Sequence, residues 1–121
     1  MNRAVEIFFL LLLLTSCKEV KITSNSCNVM NPVSDLDWIS TQILELEQNS
    51  DTTFQYFYLT QATYDNETVF VFGNCCPFCN TISFVQSCNG QRIGVLGTDI
   101  DINELNEAEV IWKHPDSTCI F

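Results

Sequence analysis

The stretch Val69-Phe70-Val71-Phe72-Gly73-Asn74-Cys75-Cys76-Pro77-Phe78-Cys79 joins the most strand-like run in the chain to three of its seven cysteines. Valine and phenylalanine suit a pleated, packed surface, so residues 68–72 read as a strand that Gly73-Asn74 ends. Working outward, residues 54–64 are rich in aromatics and threonine and read as a preceding strand, turned by Asp65-Asn66-Glu67. Ile82 to Gln86 alternates as a third strand. Asn89-Gly90 is the strongest short-range hairpin signal in the chain, and Arg92 to Leu96 returns as a fourth strand. Turns joining four consecutive short strands describe an antiparallel meander.

One helix precedes the sheet. Pro32-Val33-Ser34 opens it, with Ser34 as the expected N-cap, Asp37 three residues later, and Val33 able to staple against Trp38. Leu36, Ile39, Ile43 and Leu46 recur at helical spacing and form one apolar stripe. The expected class is α+β: one amphipathic helix packed on a small antiparallel β-meander, stapled by disulfides. After the meander, Asp101 and Glu104 suggest a cap for a short helix carrying Leu105 and Ala108. An extended Val110-Ile111-Trp112 follows, and Pro115 forbids a helix through the tail.

The chain has 121 residues, which allows one domain at most, and a net charge of −10. Phosphate binding needs Lys and Arg to displace counterions, so nucleic acid is not an expected partner. Anionic lipid headgroups are disfavoured for the same reason.

The first residues read as an address. Met1-Asn2-Arg3 is mildly basic, and Ile7 to Leu14 is an apolar run far too short for the ~20 residues that span a bilayer. It suits the core of a secretory signal. The run ends in Leu14-Thr15-Ser16-Cys17, which resembles the lipobox of bacterial lipoproteins. That resemblance implies cleavage before Cys17, a diacylglycerol on its sulfur and an acyl chain such as palmitate on the new amino terminus. Several chains make a stable anchor where one is marginal. The expected organisation is a signal peptide over residues 1–16, a lipidated cysteine and polar tether over 17–26, and a single α+β domain over 27–121. Lys18, where the lipobox pattern for inner-membrane retention has Asp, points to the outer membrane.

An oxidising envelope turns attention to the other cysteines: Cys27, Cys75, Cys76, Cys79, Cys88 and Cys119, an even six. Cys75 and Cys76 are adjacent and point to opposite faces of an extended segment. One is therefore expected to reach Cys27 and the other Cys119, while Cys79 and Cys88 flank the third strand and suit a short-range bridge. Four other chemistries use the same neighbourhood. Cys76-Pro77-Phe78-Cys79 resembles the redox motif of thioredoxin-like and glutaredoxin-like enzymes, but Asn89-Gly90 arrives too soon for the helix that should follow. Cys75, Cys76, Cys79 and His114 offer zinc-type ligands without the paired spacing of a structural site. Asp99, Asp101 and Asn103 begin like a calcium loop, but Glu104 and Val110 stand where Gly and Glu are needed. His114 is the only histidine that could serve a cysteine nucleophile, and beside Pro115 it reads as a surface residue. No metal, cofactor or catalytic residue is assigned. Asn66-Glu67-Thr68 matches the N-glycosylation sequon, which matters only in a eukaryotic secretory pathway.

In their order along the chain these features resemble a family of small bacterial lipoproteins catalogued as a domain of unknown function. The matching residues are Asp35-Leu36-Asp37-Trp38-Ile39, Tyr56-Phe57-Tyr58, Val69 to Val71, Cys75-Cys76, Asn89-Gly90 and Cys119, after the lipobox. Cys88 in the hairpin turn and the acidic stretch after Gly97 depart from the pattern. The resemblance implies no activity. The expectation is a lipid-anchored envelope lipoprotein that binds a protein or supports structure without catalysis. The alternative is an envelope thiol-disulfide oxidoreductase using Cys76 and Cys79.

Overall fold

A computed structural model of the chain describes residues 27–121. The signal segment, Cys17 and the tether lie outside the described residues. Two helices, α1 (Pro32–Asp35) and α2 (Asp37–Gln48), lead through a 3-10 turn (Thr52–Tyr56) into β1 (Phe57–Tyr64) and β2 (Glu67–Asn74). β3 (Phe84–Gln86) and β4 (Arg92–Val95) follow, then a second 3-10 turn (Ile102–Glu104) and β5 (Asn106–Lys113). The strands form one antiparallel sheet in the order β4-β3-β2-β1-β5. The fold is α+β, stapled by three disulfides.

The opening stretch lies at the centre. Period-two alternation sends Phe70 and Phe72 to one face of β2 and Val69 and Val71 to the other. On the first face, Phe70, Phe72 and Leu59 pack with Ile39, Ile43 and Leu46 of α2 in one buried cluster. On the second, Val69 and Val71 join Ala62, Val85 and Ile100 in another. Ile100 belongs to the connection that carries the chain from β4 at one edge to β5 at the other. A sheet covered by a helix on one face and a crossover on the other explains why β2 is a continuous apolar run.

The four-strand meander is present, and a fifth strand extends it. β5 pairs with β1, and Ala108 lies in this strand instead of in a helix. The capping box of Asp101 and Glu104 does form, but around a single 3-10 turn. Two bulges interrupt β5 against β1, and Glu107 takes a left-handed conformation at one of them (φ 53°). Bulged, charged edges resist pairing with other chains.

Other local expectations shift. Asn31, not Ser34, caps the first helix: its side chain accepts from the Val33 N–H at 3.2 Å, and Pro32 fits the first helical turn. Leu36 then breaks the helix in an extended conformation, so the apolar stripe sits on a separate α2. Trp38 packs edge-on to Phe70 and Phe72. Residues 54–56 are a 3-10 turn before β1 instead of part of it. Gly73 does not end β2. It stays in the strand because the Tyr58 ring lies across it: a Cβ there would stand 2.4 Å from Tyr58 Cζ.

Both predicted tight turns form. Asp65 and Asn66 have φ of 50° and 61°, the primed hairpin geometry, and join paired Tyr64 and Glu67. At Asn89-Gly90, the Trp38 indole N–H donates to the Cys88 carbonyl at 2.8 Å. The Cys27–Cys88 disulfide ties the start of the domain to this same turn.

Candidate functional site

The cysteines sort into two ends of the sheet. Cys27–Cys88 closes the hairpin-turn end, where the described chain begins. Cys75–Cys119 and Cys76–Cys79 lie at the opposite end, just past Asn74. Cys75 thus reaches the C-terminal cysteine as one of the expected pairings has it. The expected links from Cys75 or Cys76 to Cys27, and from Cys79 to Cys88, are corrected. Cys88 and Cys79 sit at opposite ends of β3, a separation no disulfide spans. The Cys75 N–H donates to the Tyr56 carbonyl at 3.1 Å, and the Cys76 N–H to Asn74 Oδ1 at 2.8 Å. These bonds send the two neighbouring sulfurs to different partners.

Cys76–Cys79 closes a turn over Pro77 and Phe78. The chain after Cys79 runs irregularly into β3, so among the described residues no helix begins beside either sulfur to stabilise a thiolate. The zinc-type set is also dispersed: its three cysteines are in disulfides, and among the described residues no group of three or more His, Cys, Asp or Glu side chains is placed to hold a metal.

His114 is buried, against the expectation of a surface residue. Its backbone N–H donates to the Phe57 carbonyl, its Nδ1 accepts the Asp116 N–H at 3.1 Å, and its carbonyl accepts the Ser117 N–H. His114-Pro115-Asp116-Ser117 is therefore a turn with proline at its second position, and the histidine locks it. The His-Pro-Asp-Ser pattern was a readable turn signal; burial of the ring against Trp112 was not. The turn aims the chain back so that Cys119 meets Cys75.

The calcium-like acids are likewise turned onto backbone. Asp99 Oδ2 accepts from the Val95 N–H, Asp101 Oδ1 from the Asn103 N–H, and Glu104 Oε2 from the Asp101 N–H, each at 2.8 Å. Asp51 does the same at its 3-10 turn. The Thr53 N–H, and then its hydroxyl, hold the Asp51 carboxyl below its ordinary value.

Among several surface hollows of similar volume, the most enclosed is one that motif reading missed. On the crossover face, a groove of about 410 Å³ opens beside Tyr58, Thr60, Val71, Leu105, Val110 and Phe121. Phe121 reaches it because Cys119 is fastened, and its ring meets Tyr58 edge-on with centroids 4.8 Å apart. Large apolar side chains stand in solvent at the same end: Phe78 is 94% exposed and Ile120 is 97% exposed, with Ile82 also exposed. Large apolar groups left exposed at one end of a small domain mark a surface that meets something.

The surrounding field is negative. Residues 27–121 carry thirteen acidic side chains against Arg92 and Lys113, and no ion pair forms among the described residues. Arg92 instead stacks on the Phe84 ring at 3.9 Å. No described helix is long and apolar enough to cross a membrane. The chain matches no protein-family model, no curated protein and no solved structure, so its function has to be read from its own residues.

Proposed function

We propose that the chain is a lipoprotein of the bacterial cell envelope, held at the outer membrane by a lipidated Cys17 and acting there as a non-enzymatic binding module. It would then stand with the small lipoproteins of unknown function that its sequence resembles. The observation that carries the binding role is the apolar groove and its exposed apolar rim, fastened by Cys75–Cys119. Placement supports it. The described chain begins at the Cys27–Cys88 end, and the groove lies along the other half of β2, from Val71 to Asn74, roughly 13–23 Å from its start. Ten residues from Cys17 to Cys27 span at most about 35 Å, a reach that would let the groove stand clear of a membrane surface.

A second reading, thiol-disulfide exchange, is favoured by one feature: Cys76 and Cys79 are bonded to each other on an exposed loop. Two measurements separate the readings. Metabolic labelling with a palmitate analogue should mark the wild-type chain and not Cys17→Ala; equal labelling removes the anchor. Thiol counting should find the six domain cysteines unreactive until denaturation. A readily reduced Cys76–Cys79 pair that turns over a disulfide substrate would establish the enzyme instead.

A further inference from the structure

We infer that the groove on the crossover face is a binding site for a basic polypeptide segment that presents one large apolar side chain between lysines or arginines. This rests on the reading of the chain as a binding module, and it names the chemistry of the partner.

Size and shape set the apolar half. A volume of about 410 Å³ lies within the ~300–1,000 Å³ typical of ligand pockets and accepts one aromatic or long aliphatic side chain with its neighbours. Val71 and Thr60 of the sheet form the floor. Leu105 and Val110 make one wall, and Ile102 and Phe121 stand exposed at the mouth. Both floor and tail are held in place, by the ladder of β1 on β2 and by the Cys75–Cys119 bond. Little ordering entropy therefore remains to be lost on binding.

Charge sets the other half. No charged side chain lines the groove itself, but Asp101 and Glu104 flank the lining residues Ile102 and Leu105 in the chain, and residues 27–121 carry thirteen acidic side chains against two basic ones. Backbone N–H groups accepted by Asp99, Asp101 and Glu104 fix those carboxylates in place without neutralising them. Fixed carboxylates flanking a partly apolar groove, within a strongly negative domain, attract cations and speed their encounter. The same charge opposes a second copy of this chain and an anionic lipid surface. A neutral apolar small molecule would fill the groove without using that charge, and it is an outcome of the test.

The test uses the full chain and labelled heptapeptides read by fluorescence anisotropy. One peptide has a phenylalanine with two lysines on each side. One replaces the lysines with glutamates, and one replaces the phenylalanine with serine. The lysine–phenylalanine peptide should bind at least about tenfold more tightly than either counterpart and weaken as salt is raised. Ala108 of β5 also lines the groove. Ala108→Arg, which puts a charge like the peptide's there, should lower its affinity about tenfold, and Ile102→Ser at the mouth about threefold. Leu44→Ser on the outer face of α2 should leave it unchanged. Far-UV circular dichroism reports whether each variant is folded, and Ile102→Ser sits on an exposed turn outside both cores. Equal binding of the glutamate peptide, which is what a neutral-ligand pocket gives, overturns the inference. So does equal binding of the serine peptide, or indifference to both groove variants. A chain labelled at Cys17 that binds no peptide loses this inference and keeps its anchor. An unlabelled chain that binds the peptide keeps the groove and loses the anchor.

Discussion

Gly90 and Gly97 make a matched pair that isolates one tertiary contact. Both have left-handed backbones, with φ of 82° and 88°. At Gly97 an added Cβ meets nothing within 4 Å, whereas at Gly90 it stands 2.9 Å from Trp38 Cδ2 and 3.1 Å from Cγ. Alanine at either position bears the left-handed penalty of about 1–2 kcal/mol. At Gly90 it must also displace an indole held by its hydrogen bond to Cys88 and packed on Phe70 and Phe72. Overpacking of that kind adds ~1–3 kcal/mol. Gly90→Ala should therefore cost about 2–5 kcal/mol and Gly97→Ala about 1–2. Urea unfolding with the disulfides intact, followed by tryptophan fluorescence and far-UV circular dichroism, measures both. In a Trp38→Ala background the excess at Gly90 should vanish, a coupling readable from the double-mutant cycle. If the two glycine variants cost the same within about 0.5 kcal/mol, Trp38 does not bear on the hairpin turn and the reasoning fails.

Other outcomes follow from the same structure. Replacing Cys27 and Cys88, or Cys75 and Cys119, by serine removes bridges with sequence separations of 61 and 44 and should cost ~4 kcal/mol each by denaturant unfolding, far more than the three-residue Cys76–Cys79 bridge. Ile39→Ala, at the fully buried centre of the helix–sheet core, should cost about 2–5 kcal/mol, while Leu44→Ala on the exposed face should stay within roughly 0.5. The Asp51 carboxyl, lowered by the Thr53 N–H and hydroxyl, should titrate by carbon NMR below its ordinary value of 3.8. Its contribution to stability is then complete above the ordinary carboxylate value and lost as pH falls through the lowered one; a midpoint at or above 3.8 removes the cap.

Where the sequence was legible, the signal was local and periodic. The stripe of Ile39, Ile43 and Leu46 is the buried face of α2, and the Asp65-Asn66 and Asn89-Gly90 turns lie where backbone chemistry demands them. Where it misled, a distant partner changed a local meaning. Gly73 looks like a strand breaker until the Tyr58 ring is placed over it. Ser34 looks like a cap until Asn31-Pro32 is seen to start a turn earlier. Ala108 carries too little pattern to reveal a bulged edge strand, because bulges shift the period on which strand reading depends. His114 gives no sign of burial, since its neighbours Pro115 and Asp116 are those of an exposed turn.

By itself, then, the sequence determined the class: a helix, an antiparallel meander and six domain cysteines, each set by spacing, propensity and turn chemistry. Tertiary structure alone decided which cysteines join, because the pairing depends on which strand ends lie within a disulfide's reach. It alone decided that β5 returns beside β1, and that the crossover and the fastened Phe121 leave a groove between them. A groove is a volume bounded by residues far apart in the chain, from Tyr58 to Phe121, and no local pattern encodes it.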